Sequence, residues 1–75
     1  MKVTSRSDSE DIRIYFDGVL HIRIPRDKNV ILQSWIEGHT KKYIIEIHCK
    51  NNSTLFEYDN KKLWVAVLSQ FEKEI

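Results

Sequence analysis

Seventy-five residues, 41% of them hydrophobic and 31% charged, with a formal net charge of +1, leave room for one small domain. A chain this short hides only about 60–65% of its unfolded surface, so a stability of roughly 4–11 kcal/mol is expected. The apolar share excludes a disordered chain, and no apolar run approaches the roughly 20 residues that a membrane-spanning helix needs.

Residues 1–10 mix Lys2, Arg6, Asp8 and Glu10 with three serines and show no periodicity, which predicts a flexible N-terminal arm preceding a domain over 11–75. They also lack the apolar core of a signal peptide. Together with the single cysteine, Cys49, this points to a reducing, cytoplasmic location.

From Ile12 the chain alternates. Ile12, Ile14 and Phe16 interleave with Arg13 and Tyr15, and after Gly18, Leu20, Ile22 and Ile24 interleave with His21 and Arg23. Both stretches read as half-buried strands. A two-residue Asp17-Gly18 turn pairs Phe16 with Val19 and sets Ile14 opposite His21 and Ile12 opposite Arg23, mixing the faces. A three-residue Phe16-Asp17-Gly18 loop with a left-handed Gly18 pairs Tyr15 with Val19, Ile14 with Leu20 and Ile12 with Ile22, and is the predicted connection. One face then carries Ile12, Ile14, Leu20, Ile22 and Ile24; the other carries Arg13, Tyr15, Val19, His21 and Arg23.

Pro25 ends the second strand because it has no amide hydrogen for the ladder. A third strand is predicted over about Val30–Glu37, with Leu32 and Ile36 inward, although periodicity alone does not decide between Ile36 and Trp35. After a turn at 38–41, Tyr43, Ile45, Ile47 and Cys49 mark the buried face of a fourth strand, and Leu55–Tyr58 form a short fifth. From Asp59 the period changes to 3.6: Leu63, Trp64, Val67, Leu68, Phe71 and Ile75 make an apolar stripe, with Asp59 as the expected N-cap. The fold class is therefore α+β: an antiparallel meander of about five strands followed by one C-terminal amphipathic helix packed on the sheet.

Catalytic chemistry has little to work with. His48 and Cys49 are adjacent, so on a strand they point to opposite faces, and Cys49 reads as a small buried hydrophobe. Gly18 and Gly38 are isolated, which leaves no phosphate loop, and the histidines lack metal-ligand spacing. No enzyme, cofactor or metal is expected. Two groups stand out as binding candidates: Arg13, Tyr15, His21 and Arg23, which put cations beside an aromatic ring, and Lys61 with Lys62 beside the free amides of the helix start. The expected function is a small non-catalytic protein-interaction or self-association domain forming a homodimer or larger assembly. The alternative is a single-stranded nucleic-acid-binding module using the outer hairpin face. No membrane partner is expected.

Overall fold

A computed structural model describes residues 1–27 and 29–74. Six strands and one helix follow in order: β1 Val3–Ser7, β2 Asp11–Phe16, β3 Val19–Pro25, β4 Ile31–Glu37, β5 Lys42–His48, β6 Ser53–Tyr58 and α1 Lys61–Glu74. All pairings are antiparallel between consecutive strands, giving two three-stranded sheets, β1-β2-β3 and β4-β5-β6. The α+β class and the terminal helix are as predicted; the meander has six strands rather than about five and is divided between two sheets. The chain forms two compact units: Met1–Arg26 with the chain from Val65 onward, and Asp27–Trp64.

In the first unit the core is the face of Ile12, Ile14, Ile22 and Ile24, all buried. Ile14 pairs with Ile22 and Ile12 with Ile24, so the apolar side chains share a face as the alternation requires. The register differs from the predicted one. Asp17 and Gly18 both have positive φ, 50° and 83°, the signature of a two-residue type I′ turn, and Phe16 pairs directly with Val19. The extra residue lies inside β3 instead of in the loop: pairing shifts between Ile14 and Tyr15, leaving His21 between Leu20, opposite Tyr15, and Ile22, opposite Ile14. One inserted residue restores the phase that an unbroken two-residue hairpin would lose. Leu20, expected inward, is exposed.

The expectation of a flexible arm over residues 1–10 is corrected by β1, which pairs with β2 from Val3 opposite Phe16 to Ser7 opposite Ile12. Its inner positions are largely polar but satisfied. The Ser5 hydroxyl lies 2.7 Å from Gln70 Oε1 and 2.9 Å from Glu74 Oε1, and the Ser7 hydroxyl donates to Glu74. These bonds dock the C-terminal half of α1 on this sheet. At the other end of β1, Lys2 N donates to the Asp17 carboxylate at 2.8 Å and Asp17 N to Lys2 O at 2.9 Å.

In the second unit the central strand β5 is covered on both sides. Ile45 and Ile47 are buried as expected, and so is Ile44, from the opposite phase. Trp64 Nε1 donates to Ile44 O at 3.0 Å, and its ring meets Tyr43 with centroids 5.4 Å apart. Cys49, expected in the core, is half-buried just beyond β5. The helix N-cap is Asn60 rather than Asp59: Asn60 Oδ1 accepts from Lys62 N at 2.8 Å and Leu63 N at 3.4 Å. Of the helix stripe, Val67 is buried and Leu63, Trp64, Leu68 and Phe71 are half-buried, while Ile75 lies outside the described residues.

Candidate functional site

Strand pairing places three arginines in one row. Arg6 lies opposite Arg13, and Arg13 opposite Arg23, so one guanidinium from each strand of the first sheet projects on the face away from the isoleucines. Asp11, two residues before Arg13, shares that face and is completely buried. Its Oδ2 accepts from Arg23 Nε, and its Oδ1 lies 2.9 Å from Arg13 Nε. The Arg13 N–H is not aligned on Oδ1, so that oxygen has a neutralising charge beside it without a hydrogen bond. This suits a carboxylate whose burial would otherwise be costly.

The loop between β1 and β2 extends the charged cluster. Asp8 Oδ1 accepts from the amides of Glu10 at 2.8 Å and Asp11 at 3.0 Å, closing an Asx-type turn. Those two amides, followed by the charges of Arg13 and Arg23, hold the Asp8 carboxyl below its ordinary range. Asp8 Oδ2 is 3.5 Å from an Arg13 Nη. Arg26 Nε donates to Asp8 O at 2.7 Å and its Nη2 to Glu74 O at 2.8 Å, tying the loop and the helix end to β3. Asp11 first, then a hydrogen bond with Tyr15, raises the Arg13 guanidinium further above its usual value.

Two open clefts flank Arg6. One, of about 450 Å³, is lined by Arg6, Ser7, Asp8, Asp11 and Arg13. The other, of about 320 Å³, is lined by Thr4, Ser5, Arg6 and Tyr15.

Of the residues singled out from the sequence, Arg13, Tyr15 and Arg23 share this face. His21 does not join them: the β3 bulge stacks its ring on Phe16, with centroids 3.9 Å apart and planes 20° from parallel, and burial pushes its pKa down. Lys61 and Lys62 belong to the second unit, where Asn60 already occupies the first-turn amides of Lys62 and Leu63. Sequence reasoning missed Arg6, Asp8 and Asp11. The available signal was the phase of Thr4 and Arg6, which alternate with Val3, Ser5 and Ser7.

The second sheet offers a different surface. β4 is an edge strand, and every residue from Ile31 to Glu37 except Leu32 is exposed. Neither phase is buried, since Ile36 is 52% and Trp35 40% accessible. On β5, His48 Nε2 lies 2.5 Å from Glu46 Oε1, and on the same sheet Lys42 Nζ lies 3.3 Å from Glu57 Oε2.

Among the described residues no group of three or more His, Cys, Asp or Glu side chains is placed to hold a metal ion, and no helix is long and apolar enough to cross a membrane. No family model matches the chain, and neither a curated protein nor a solved structure matches it.

Proposed function

We propose that this chain is a small non-catalytic module that self-associates through the free edge of β4. The observation that carries the reading is that β4 lacks the devices that protect a sheet edge from another chain, namely interior charge, proline, bulges and shortness. The other edges have them. β1 is five residues long and carries Arg6, β3 has its bulge at His21 and ends on Pro25, and β6 carries Glu57. β4 runs seven residues in unbroken register with β5, has no proline or basic residue, and places its single acid at the end, Glu37.

The strand is also complementary to itself. Antiparallel pairing of two copies about a two-fold axis at Ser34 sets Leu32 against Ile36, Gln33 against Trp35 and Ile31 against Glu37, with no like charges opposed. The β4-β5-β6 sheets of the two copies would then continue as one, and exposed Ile31, Trp35 and Ile36 would gain neighbours. The single free cysteine, Cys49, supports a reducing compartment for this association.

Light scattering over a concentration series tests the proposal. The expected mass is that of two chains. Ser34→Lys opposes two cations at the axis and, at about 1.4–2.8 kcal/mol of repulsion, should weaken the dimer about ten- to a hundredfold; Ser34→Glu should do the same. Mixing the two variants should restore the dimer as a heterodimer. A one-chain mass at every wild-type concentration, or a dimer indifferent to Ser34→Lys, refutes the reading.

A further inference from the structure

Like charges directly opposite one another on neighbouring strands destabilise a sheet, yet Arg6, Arg13 and Arg23 form an unbroken row across all three strands of the first unit. The buried carboxylate of Asp11 accepts from Arg23 Nε and lies 2.9 Å from Arg13 Nε. A guanidinium carries five N–H donors, so with Nε turned to Asp11 and one hydrogen bond from Arg13 to Tyr15, Nη donors remain on both side chains for other acceptors. Arg13 Nη2 approaches Asp8 Oδ2 only to 3.5 Å. Arg6 has no hydrogen bond or ion pair among the described residues. Three guanidiniums against the carboxylates of Asp8 and Asp11 leave one uncompensated positive charge, matching the single negative charge of a phosphodiester.

The surroundings of Arg6 say what else the ligand carries. One flanking cleft leads to Arg13 with the Asp8 and Asp11 carboxylates beside it, the other to Thr4 and the ring of Tyr15. An anion seated between Arg6 and Arg13 therefore has a half-buried aromatic ring one row away, since Thr4 pairs with Tyr15 two positions along from the Arg6–Arg13 pair. A charged groove beside an aromatic platform suits a backbone phosphate with its base unstacked, the condition of a single strand rather than a duplex. We propose that this face binds single-stranded nucleic acid, with a phosphate between Arg6 and Arg13 and the adjoining base on Tyr15. Arg23 reinforces the field, and Asp11 acts as the positioning residue that orients Arg13 and Arg23.

The test is fluorescence anisotropy with the full chain and a short labelled oligothymidylate at low salt. Weak binding is expected, with a log-affinity against log-salt slope of about −0.7 to −1.4, one to two phosphates at about −0.7 each. Arg6→Ala removes an exposed side chain with no partner to disturb, so it should fold normally, weaken binding and flatten the slope by about 0.7. Tyr15→Leu should weaken binding about five- to a hundredfold at unchanged slope, the mark of lost stacking rather than lost charge. Lys50→Ala, a control in the second unit, should bind as wild type. Absence of binding at low salt, or wild-type affinity and slope in Arg6→Ala, overturns the proposal. Equally tight binding to a duplex or to phosphatidylserine vesicles also overturns it, since neither would use the Tyr15 ring.

Discussion

Removing Arg13 and Arg23 singly and together measures how the buried Asp11 carboxylate is held. Asp11 is fully enclosed, while the side chains of Arg13 and Arg23 are 38% and 59% accessible. Either single replacement by alanine leaves the carboxylate one guanidinium, and because each arginine is well solvated the expected cost is small. The double replacement leaves Asp11 buried and uncompensated, a condition that costs about 3–5 kcal/mol. The two substitutions should therefore be strongly non-additive, with the double exceeding the sum of the singles by well over the ~0.5 kcal/mol scatter of independent sites. Urea unfolding followed by circular dichroism reads this directly, provided the denaturant slope is shared by all variants. At about 4–8 °C per kcal/mol for a domain of this size, the double variant should also melt some tens of degrees lower. Adding Asp11→Ala to the double variant should recover stability, because the unpaired charge is then gone. Additive singles, or no recovery in the triple variant, would refute charge compensation as the reason for the cluster.

Burial raises the Tyr58 phenol from its ordinary 10.0 to about 12. Stability from that protonated phenol is full below pH 10 and lost as pH rises through 12, about 2–3 kcal/mol in all; urea midpoints should fall over that window in wild type and less in Tyr58→Phe. Gly18→Ala should cost about 1–2 kcal/mol by thermal melting, since an added Cβ meets nothing within 4 Å and only the φ of +83° opposes it. Trp64→Phe keeps an aromatic ring near Tyr43 but loses the indole bond to Ile44 O, for about 1 kcal/mol, whereas Trp64→Ala should cost about 3–5 kcal/mol; equal melting temperatures for the two would show that the ring contributes nothing.

Periodicity made the strands and the helix legible because most are amphipathic, and it failed where burial is polar or two-sided. β1 escaped notice because its inner positions, Ser5 and Ser7, are satisfied by Gln70 and Glu74, more than 60 residues away in sequence. Ile44 is buried off-phase because β5 is a central strand covered on both sides. The hairpin shows the limit of treating a turn and a register as one choice. Asp17-Gly18 is a strong two-residue turn signal, the isoleucines demand their own pairing, and a bulge at His21 satisfies both. Arg13, Tyr15 and Arg23 could be placed on one face from sequence alone. The arginine row could not, because it requires the register of β1 against β2. Asp59 and Asn60 are both good caps, and the single-residue difference between them decides which amides remain free.

Both proposed surfaces rest on departures from what stability alone would select. Three opposed guanidiniums over a buried carboxylate weaken a small sheet that well-packed apolar or mixed-charge neighbours would strengthen, and an unprotected seven-residue edge invites association. Sequences are otherwise locally consistent with their folds, so such conflicts concentrate where another constraint acts. The departures also fall in different units: the arginine row in the first, β4 in the second. Arg6→Ala therefore probes one surface and Ser34→Lys the other, each at an exposed position outside the isoleucine cores. Loss of oligonucleotide binding in Arg6→Ala with the dimer intact, and loss of the dimer in Ser34→Lys with an unchanged salt slope, would separate two sites; a variant that loses both readouts has lost its fold rather than a surface.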